Sequence, residues 1–464
     1  MWPIIFVTYL FHSSMASPFG ILRASIPPDL STAFPNPTQP ATTPKPATSP
    51  CPRRRHTGGT TPSAPPRLTD QPMADLNLQD DGLLNVSPRP LPKTSLKKVK
   101  PDIDIVKNVC KRIPGNCKGP TELDKKSKDI IRESLSRPRK AGKVKGKSAG
   151  EIATYFNKMQ EAKKAVFAAS ELGDVAEPHD NGLWGGDQLP PLELLQRIID
   201  DANDAVPLNL TLTRRKRATG ISLDYYTGNK WPSLTVNYYI DPYTFSNDEA
   251  NTIRAAVKTI QDKTCLKFVQ TLQTPYIEFL KTPFGTSANT CGWASLGYSG
   301  EVNDAAINFD SSLCKANLQG TIVHEVLHVL GISHEHSRYD RDQYVDMDWN
   351  NVDPQSYDVF DHDNAYDYNP YCVKYDYLSV MHYSPYVAVI DASKPAFKPK
   401  SNPDYYLSKI GTVNAPSDTD LNLVNRLYCV PASCTDASPY CGWTACSNCA
   451  TYEASCPKSC GKCH

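Results

Sequence analysis

His324, Glu325, His328 and His334 form the stretch whose residue types and spacing specify chemistry most sharply. His324 and His328 are four residues apart, so on a helix they stand one above the other on one face. Two imidazoles so placed suit a tetrahedral Zn²⁺, which takes nitrogen ligands and brings no redox chemistry. Gly331 can adopt the left-handed backbone that ends a helix, turning the chain so that His334 returns as a third ligand. Three protein ligands leave a position open for water, which marks a catalytic rather than a structural site. Glu325 points to the neighbouring face, where its carboxylate can take a proton from that water. An isolated H-E-x-x-H match also occurs on ordinary core helices. Here the third histidine and the terminating glycine fall where a metal site needs them.

The elements that must position these residues are legible at the same level. Leu318, Ile322, Val326 and Val329, with Val323, Leu327 and Leu330, are apolar at helical spacing and hold no proline between them, which predicts a largely buried helix. Upstream, Leu234 to Ile240 alternates as a strand does, and Asp248 to Thr264 reads as a helix capped by Ser246. Ile277 to Leu280 and Ala305 to Phe309 are further strand candidates. A small sheet with two helices follows for this half of the domain. From Arg338 onward the chain is rich in Asp, Tyr, Asn and Pro, and little regular structure is expected before a last helix over Ser417 to Arg426.

The ends of the chain differ from its middle. The 464 residues carry 50 basic and 49 acidic side chains, a balance that gives no reason to expect nucleic acid as a partner. Trp2 to Phe11 is apolar and Ser14-Met-Ala16 ends in small residues, as in a signal peptide spanning residues 1–16. Apart from that, no segment is apolar over the roughly 18 residues a membrane span requires, so a secreted, extracellular product is expected. Most of the 40 prolines precede residue 220, and residues 17–148 read as largely disordered, Pro-rich and basic. Cys110 and Cys117 can close a small loop there. Helices are expected over Ala149 to Ala169 and Leu192 to Ala205, with the turn-like Trp184-Gly-Gly-Asp187 between them. Arg214-Arg-Lys-Arg217 then suits cleavage by a processing protease before Ala218. Asn85-Val-Ser and Asn209-Leu-Thr are glycosylation sequons upstream of that cut. Seven of the 15 cysteines lie in the last 31 residues; so short a segment needs disulfides rather than a core of its own.

The residues after the third histidine resemble a known family. His324-E-V-L-H-V-L-G-I-S-H-E-H-S-R-Y-D-R-Asp342, with Ser379-Val-Met-His-Tyr383 downstream, resembles the zinc signature and Met-turn of the astacin family of metzincin metalloendopeptidases. The likeness runs from Ala218 to Cys429. It implies an α+β fold, with a small twisted sheet and the active-site helix above an irregular C-terminal subdomain, over residues 218–430. It also implies one catalytic Zn²⁺ on His324, His328 and His334, Glu325 as general base and acid, and Met381 beneath the metal. Tyr383 would stabilise the tetrahedral intermediate. Protein or peptide substrates are implied, as is a propeptide (residues 17–217) removed by cleavage between Arg217 and Ala218. Glu335 would then receive the new amino terminus of Ala218. Trp184-Gly-Gly-Asp187 resembles the family's inhibitory F-x-G-D motif, with Asp187 on the metal in the zymogen; Asp174 is the competing candidate. By the same resemblance Cys265 pairs with Cys429 and Cys291 with Cys314. The loop Thr290 to Asp304 departs from the family in its Gly/Trp arrangement, and Cys372 has no family partner.

Residues 434–463 resemble a ShK-type module, which implies Cys434–Cys463 and Cys441–Cys456 and leaves either Cys446 or Cys449 surplus. Parity then suggests that Cys372 pairs with the surplus tail cysteine. A second reading of the whole chain is an inert protease-like carrier whose ShK-type tail is the functional binding module. The intact Glu325, Tyr383 and three histidines speak against it.

Overall fold

The computed structural model describes residues 100–140, 144–205, 230–282, 291–363, 368–431, 433–437, 441, 446 and 449–463. The expected signal peptide, both sequons at Asn85 and Asn209, and the Arg217–Ala218 junction lie outside the described residues.

Three helices come first: α1 (Ile103–Arg112), α2 (Glu122–Ser136) and α3 (Ala149–Ala169). The disorder expected of residues 17–148 therefore does not extend through its last third. Lysine-rich composition masks an apolar stripe in that stretch, since Val106 and Val109 of α1 and Ile131 and Leu135 of α2 are buried. Cys110 and Cys117 are joined, closing the loop after α1. Helix α3 starts at a reciprocal cap in which the Glu151 amide donates to Ser148 Oγ and the Ser148 amide to Glu151 Oε2. Its buried stripe runs from Ile152 to Phe167. A short strand β1 (Gln188–Leu189) and helix α4 (Leu192–Ala205) complete this part. The α3 and α4 boundaries agree with the sequence expectation.

The second part is the sheet and its helices. Strands β2 (Thr235–Tyr239), β3 (Lys267–Gln270), β4 (Tyr276–Lys281), β5 (Gly292–Ser295) and β6 (Val302–Ile307) join β1 in one sheet of order β1-β5-β6-β4-β2-β3. Pairs β6–β4, β4–β2 and β2–β3 are parallel, whereas β5 runs antiparallel to β6. Helix α5 (Asn247–Gln261) and helix α6 (Leu318–Val329) pack on one face of the sheet. Ile253 and Ile260 of α5 and Ile322, Val326 and Val329 of α6 are inaccessible to solvent in that core. The opposite face carries Leu280, Trp293 and Ala306, which share a core with Ile131, Phe156 and Phe167 of the upstream helices. The strands β3 and β5 were not legible in the sequence. Gly-Trp-Ala-Ser of β5 is buried at every position and so shows no alternation to detect.

Beyond α6 regular structure is sparse, as expected: a two-stranded pair β7 (Val345–Met347) with β8 (Phe397–Pro399), isolated 3₁₀ turns, and helix α7 (Asp418–Tyr428). Disulfides link Cys265 to Cys429 and Cys291 to Cys314. In the tail Cys434 joins Cys463, Cys441 joins Cys456 and Cys449 joins Cys460. Cys372 joins Cys446, so the surplus tail cysteine staples the tail to the domain before it. The tail also accepts two hydrogen bonds from the Arg426 guanidinium of α7, at the carbonyls of Lys458 (3.1 Å) and Ser459 (2.5 Å).

Candidate active site

Helix α6 ends as the sequence requires. Gly331 takes φ +89°, its amide donates to the His328 carbonyl and the Ile332 amide to Leu327, a Schellman-type closure that only a residue tolerant of positive φ completes cheaply. The chain then doubles back and presents His334 to the helix. His328 Nε2 and His334 Nε2 are 3.1 Å apart. His324 Nδ1 lies 2.8 Å from the Val380 carbonyl and His328 Nδ1 2.7 Å from that of Ile332. Each carbonyl holds a proton on Nδ1 and so aims the Nε2 lone pair inward, the outer-shell arrangement of metal-binding histidines.

Asp187 occupies the point where the three rings converge. Its carboxylate lies 3.2 Å from His324 Nε2, 3.4 Å from His328 Nε2 and 3.1 Å from His334 Nε2. Asp174 is exposed and takes no part. The delivery is local: Trp184 and Gln188 exchange backbone hydrogen bonds in both directions, so residues 185–187 form a tight loop whose tip is the aspartate. Gly186 sits at φ +103°, and a Cβ there would come within 2.8 Å of the Tyr383 hydroxyl. Immediately after the loop, Gln188 and Leu189 pair in parallel with Ala294 and Ser295 of β5. That strand is therefore the rim of the cleft, and the altered loop Thr290 to Asp304 still supplies it.

The donor set fits a metal ion. Among the described residues, Asp187, His324, His328 and His334 form a buried group whose ligand atoms all lie within 4.8 Å of one another. Asp187 Oδ1 is buried and makes no hydrogen bond, a lone-pair surplus that a cation satisfies. Burial works to raise the Asp187 carboxyl, but His334 and His328 beside it hold it well below the ordinary carboxylate range.

Glu325 stands beside this group, 2% exposed, with Oε2 unpaired. Burial, reinforced by the Asp187 charge, pushes its pKa well above the usual value. A Cβ on Gly292 would lie 2.3 Å from Glu325 Oε1, so the glycine of the rim strand makes the space in which the carboxylate stands. Tyr383 lies over His334, ring centroids 4.3 Å apart, and its hydroxyl is held neutral by burial and the nearby Asp187 charge. Met381 is 1% exposed in the core it shares with the apolar side chains of α6, and its carbonyl accepts from the Glu335 amide at 3.0 Å. Glu335 accepts from the Asp376 amide (2.7 Å) and from Arg338 (3.3 Å); burial pushes its carboxyl up to about 7 against the opposing pull of Arg338.

Sequence reasoning passed over His336 and Gly292. His336 stacks on Tyr383 with centroids 4.5 Å apart and planes at 24°, and its Nδ1 accepts from the Tyr383 amide at 3.2 Å. Its position two residues after a metal-ligating histidine was the available signal. Gly292 carried no such signal, because its neighbour Glu325 is distant in sequence.

This helix, turn and carboxylate on this sheet define a zinc-dependent peptidase site of the metzincin kind. The family model for the astacin peptidases matches residues 224–429. The chain is 30% identical over 371 residues to zinc metalloproteinase nas-10 of Caenorhabditis elegans, covering 77% of this chain and 67% of that protein. It is 32% identical over 202 residues to high choriolytic enzyme 1 of Oryzias latipes, covering 43% of this chain and 69% of that protein. A solved structure of the latter, a hatching enzyme zinc-protease, matches 43% of this chain and 94% of its own at 29% identity and a TM-score of 0.37. The chain belongs to the astacin family, and is by that membership a zinc metalloendopeptidase. It spans about two thirds of the length of nas-10, and 60% of the related nas-9.

Proposed function

We propose that the protein is a secreted endopeptidase made as a latent precursor, with residues 17–217 as propeptide, 218–430 as protease and 434–463 as a ShK-type module. Cleavage after Arg217 is the activating cut. The observation that carries this reading is the Asp187 carboxylate seated among His324, His328 and His334, where a water molecule would have to stand for hydrolysis. The cysteine pairs named from the resemblance are joined in the structure, two in the protease and two in the tail, and the latter two support the tail assignment. Among the described residues no helix is long and apolar enough to cross a membrane. Asn85 and Asn209 precede the cut, so any glycan there leaves with the propeptide.

His324, His328 and His334 would hold a zinc ion, which supplies a Lewis acid that lowers the pKa of water to about 7 and polarises a carbonyl. Everything else falls to this chain's side chains. Glu325, freed of Asp187, takes the proton of the attacking water as its oxygen adds to the scissile carbonyl carbon. Tyr383 donates its hydroxyl to the oxyanion of the tetrahedral intermediate. Glu325 passes the proton to the leaving amide nitrogen as the C–N bond breaks, giving a free carboxylate and an amine. Met381 keeps the floor apolar. A pocket of about 40 Å³ beside Glu335 is lined by Arg338, Tyr339 and Leu423, which supports entry of the Ala218 amine there after cleavage.

The test uses the processed protein freed of its propeptide. Chelation should abolish hydrolysis of a protein substrate, and one equivalent of Zn²⁺ should restore it. Full activity in excess chelator would sink the metal mechanism.

A further inference from the structure

The contacts that hold the upstream helices against the protease join side chains and carbonyls such as those of Gly119, Arg139, Lys163 and Glu177 to Glu278, Asp304, Gln355 and Asp358. None of these runs through the Arg217–Ala218 bond, so a cut there leaves them in place. They are also more extensive than a plug in the metal site requires. Lys163 of α3 meets Asp358 at 3.0 Å, with side chains 1% and 2% exposed, and donates as well to the His179 carbonyl and Asn181 Oδ1. Arg139 presents a fork to Asp304, at 2.6 and 3.0 Å, and reaches Glu278 at 3.2 Å, all three being buried. Asp304 and Glu278 face each other across β6 and β4, on the side of the sheet away from α5 and α6. Gln355 donates to the carbonyls of Gly119 and Glu177, both at 3.0 Å. Beneath these polar contacts, Leu280, Trp293, Ala306 and Tyr357 are buried in one core with the upstream helices.

We propose that residues 100–205 form an inhibitory domain that stays bound to the protease after the connecting segment is cut. The cut after Arg217 makes activation possible, and the departure of this domain completes it. This rests on the proteolytic reading above. Buried ion pairs set on an apolar patch, one of them the doubly hydrogen-bonded Arg139–Asp304 fork, dissociate slowly, because each charge must be rehydrated before the surfaces part. Asp187 alone could be displaced by a competing carboxylate from a substrate. An Asp187 carried on a domain anchored at Glu278, Asp304, Gln355 and Asp358 remains at high local concentration beside the metal site. Among the described residues no disulfide joins the two parts, since Cys110–Cys117 is internal to the upstream part, so the association is non-covalent.

The experiment starts from the full-length precursor cut to completion by a processing protease specific for basic runs, with the new termini verified by sequencing. At about 1 µM the two polypeptides should co-elute in size-exclusion chromatography. Specific activity on a quenched peptide should be under a tenth of that of the separated protease and should climb with dilution. Separate elution at that concentration, or full activity at once with no dependence on dilution, would overturn the proposal. Lys163→Met and Arg139→Met precursors should each reach half activity at a concentration at least tenfold higher than the unsubstituted protein; no shift in either would also count against it. Should a variant misfold, co-elution and dilution of the unsubstituted protein still decide. Co-elution is read without activity, so a separated chain that binds zinc yet cleaves nothing would defeat the proteolytic reading and leave this one to the chromatogram.

Discussion

At the scale of single residues the site is built by making room as much as by supplying groups. Glu325 can stand beside the metal ligands because Gly292 lacks a Cβ that would lie 2.3 Å from its oxygen. Glu325→Ala should retain zinc, since none of the three imidazoles is touched, while hydrolysis falls by about 10³-fold or more with loss of the proton carrier. Zinc content and kcat/KM measured on one preparation separate the two effects, and undiminished cleavage would remove Glu325 from the mechanism. His336 is a positioning residue: it accepts from the Tyr383 amide and stacks on its ring. His336→Phe keeps the stack and loses the acceptor. The expected result is about a tenfold fall in kcat with KM little changed, because the oxyanion donor is misplaced while the cleft is intact. A variant with unchanged kcat would make His336 a packing residue only.

At the scale of elements, the cap of α7 does two jobs. Asp420 completes a reciprocal cap with Ser417, and the same carboxylate accepts from Ser379 Oγ (2.5 Å) and the Val380 amide (2.9 Å) of the turn that carries Met381. Asp420→Ala should cost about 2–4 kcal/mol, the range for orphaning buried donors, and should lower zinc affinity too, because Val380 also holds His324 Nδ1. Denaturant unfolding with and without metal measures both; a loss of less than about 0.5 kcal/mol would mean the turn holds itself. What the sequence disclosed follows the same division. Helix α6, the third histidine and the α3, α4 and α7 spans were legible because apolar period and end signals are local. Strand β5, Gly292 and the double use of Asp420 were not, because each is defined by a partner far away in sequence. Helices α1 and α2 were hidden for another reason: their buried stripe is narrow and diluted by lysine.

At the scale of the whole molecule, the upstream domain and the protease meet through a charged bridge with a defined pH response. His179 lies 3.0 Å from Asp124 of α2 and 3.2 Å from Asp353 of the protease. Burial favours its neutral form, yet hydrogen bonds and charge from both carboxylates prevail and raise its pKa to about 9. A folded pKa above the ordinary 6.5 means stabilisation that is fully present below about pH 6.5 and is lost as pH rises through about 9. The Asp124 carboxyl is shifted the other way: burial works to raise it, but His179 prevails and depresses it, so its contribution is present above its ordinary value of 3.8 and fades only in stronger acid. The bridge is therefore strongest in the broad window between those limits and is weakened by alkali rather than by mild acid. His179→Asn in the full-length precursor removes the titrating group while keeping a polar side chain. The Tm advantage of the unsubstituted precursor over this variant, worth up to about 3 kcal/mol, should hold steady from pH 5 to 6.5 and shrink towards zero by pH 10. An advantage that stays constant across that span would show that His179 is not charged in the latent protein, and that Asp124 and Asp353 are held apart by something other than a proton.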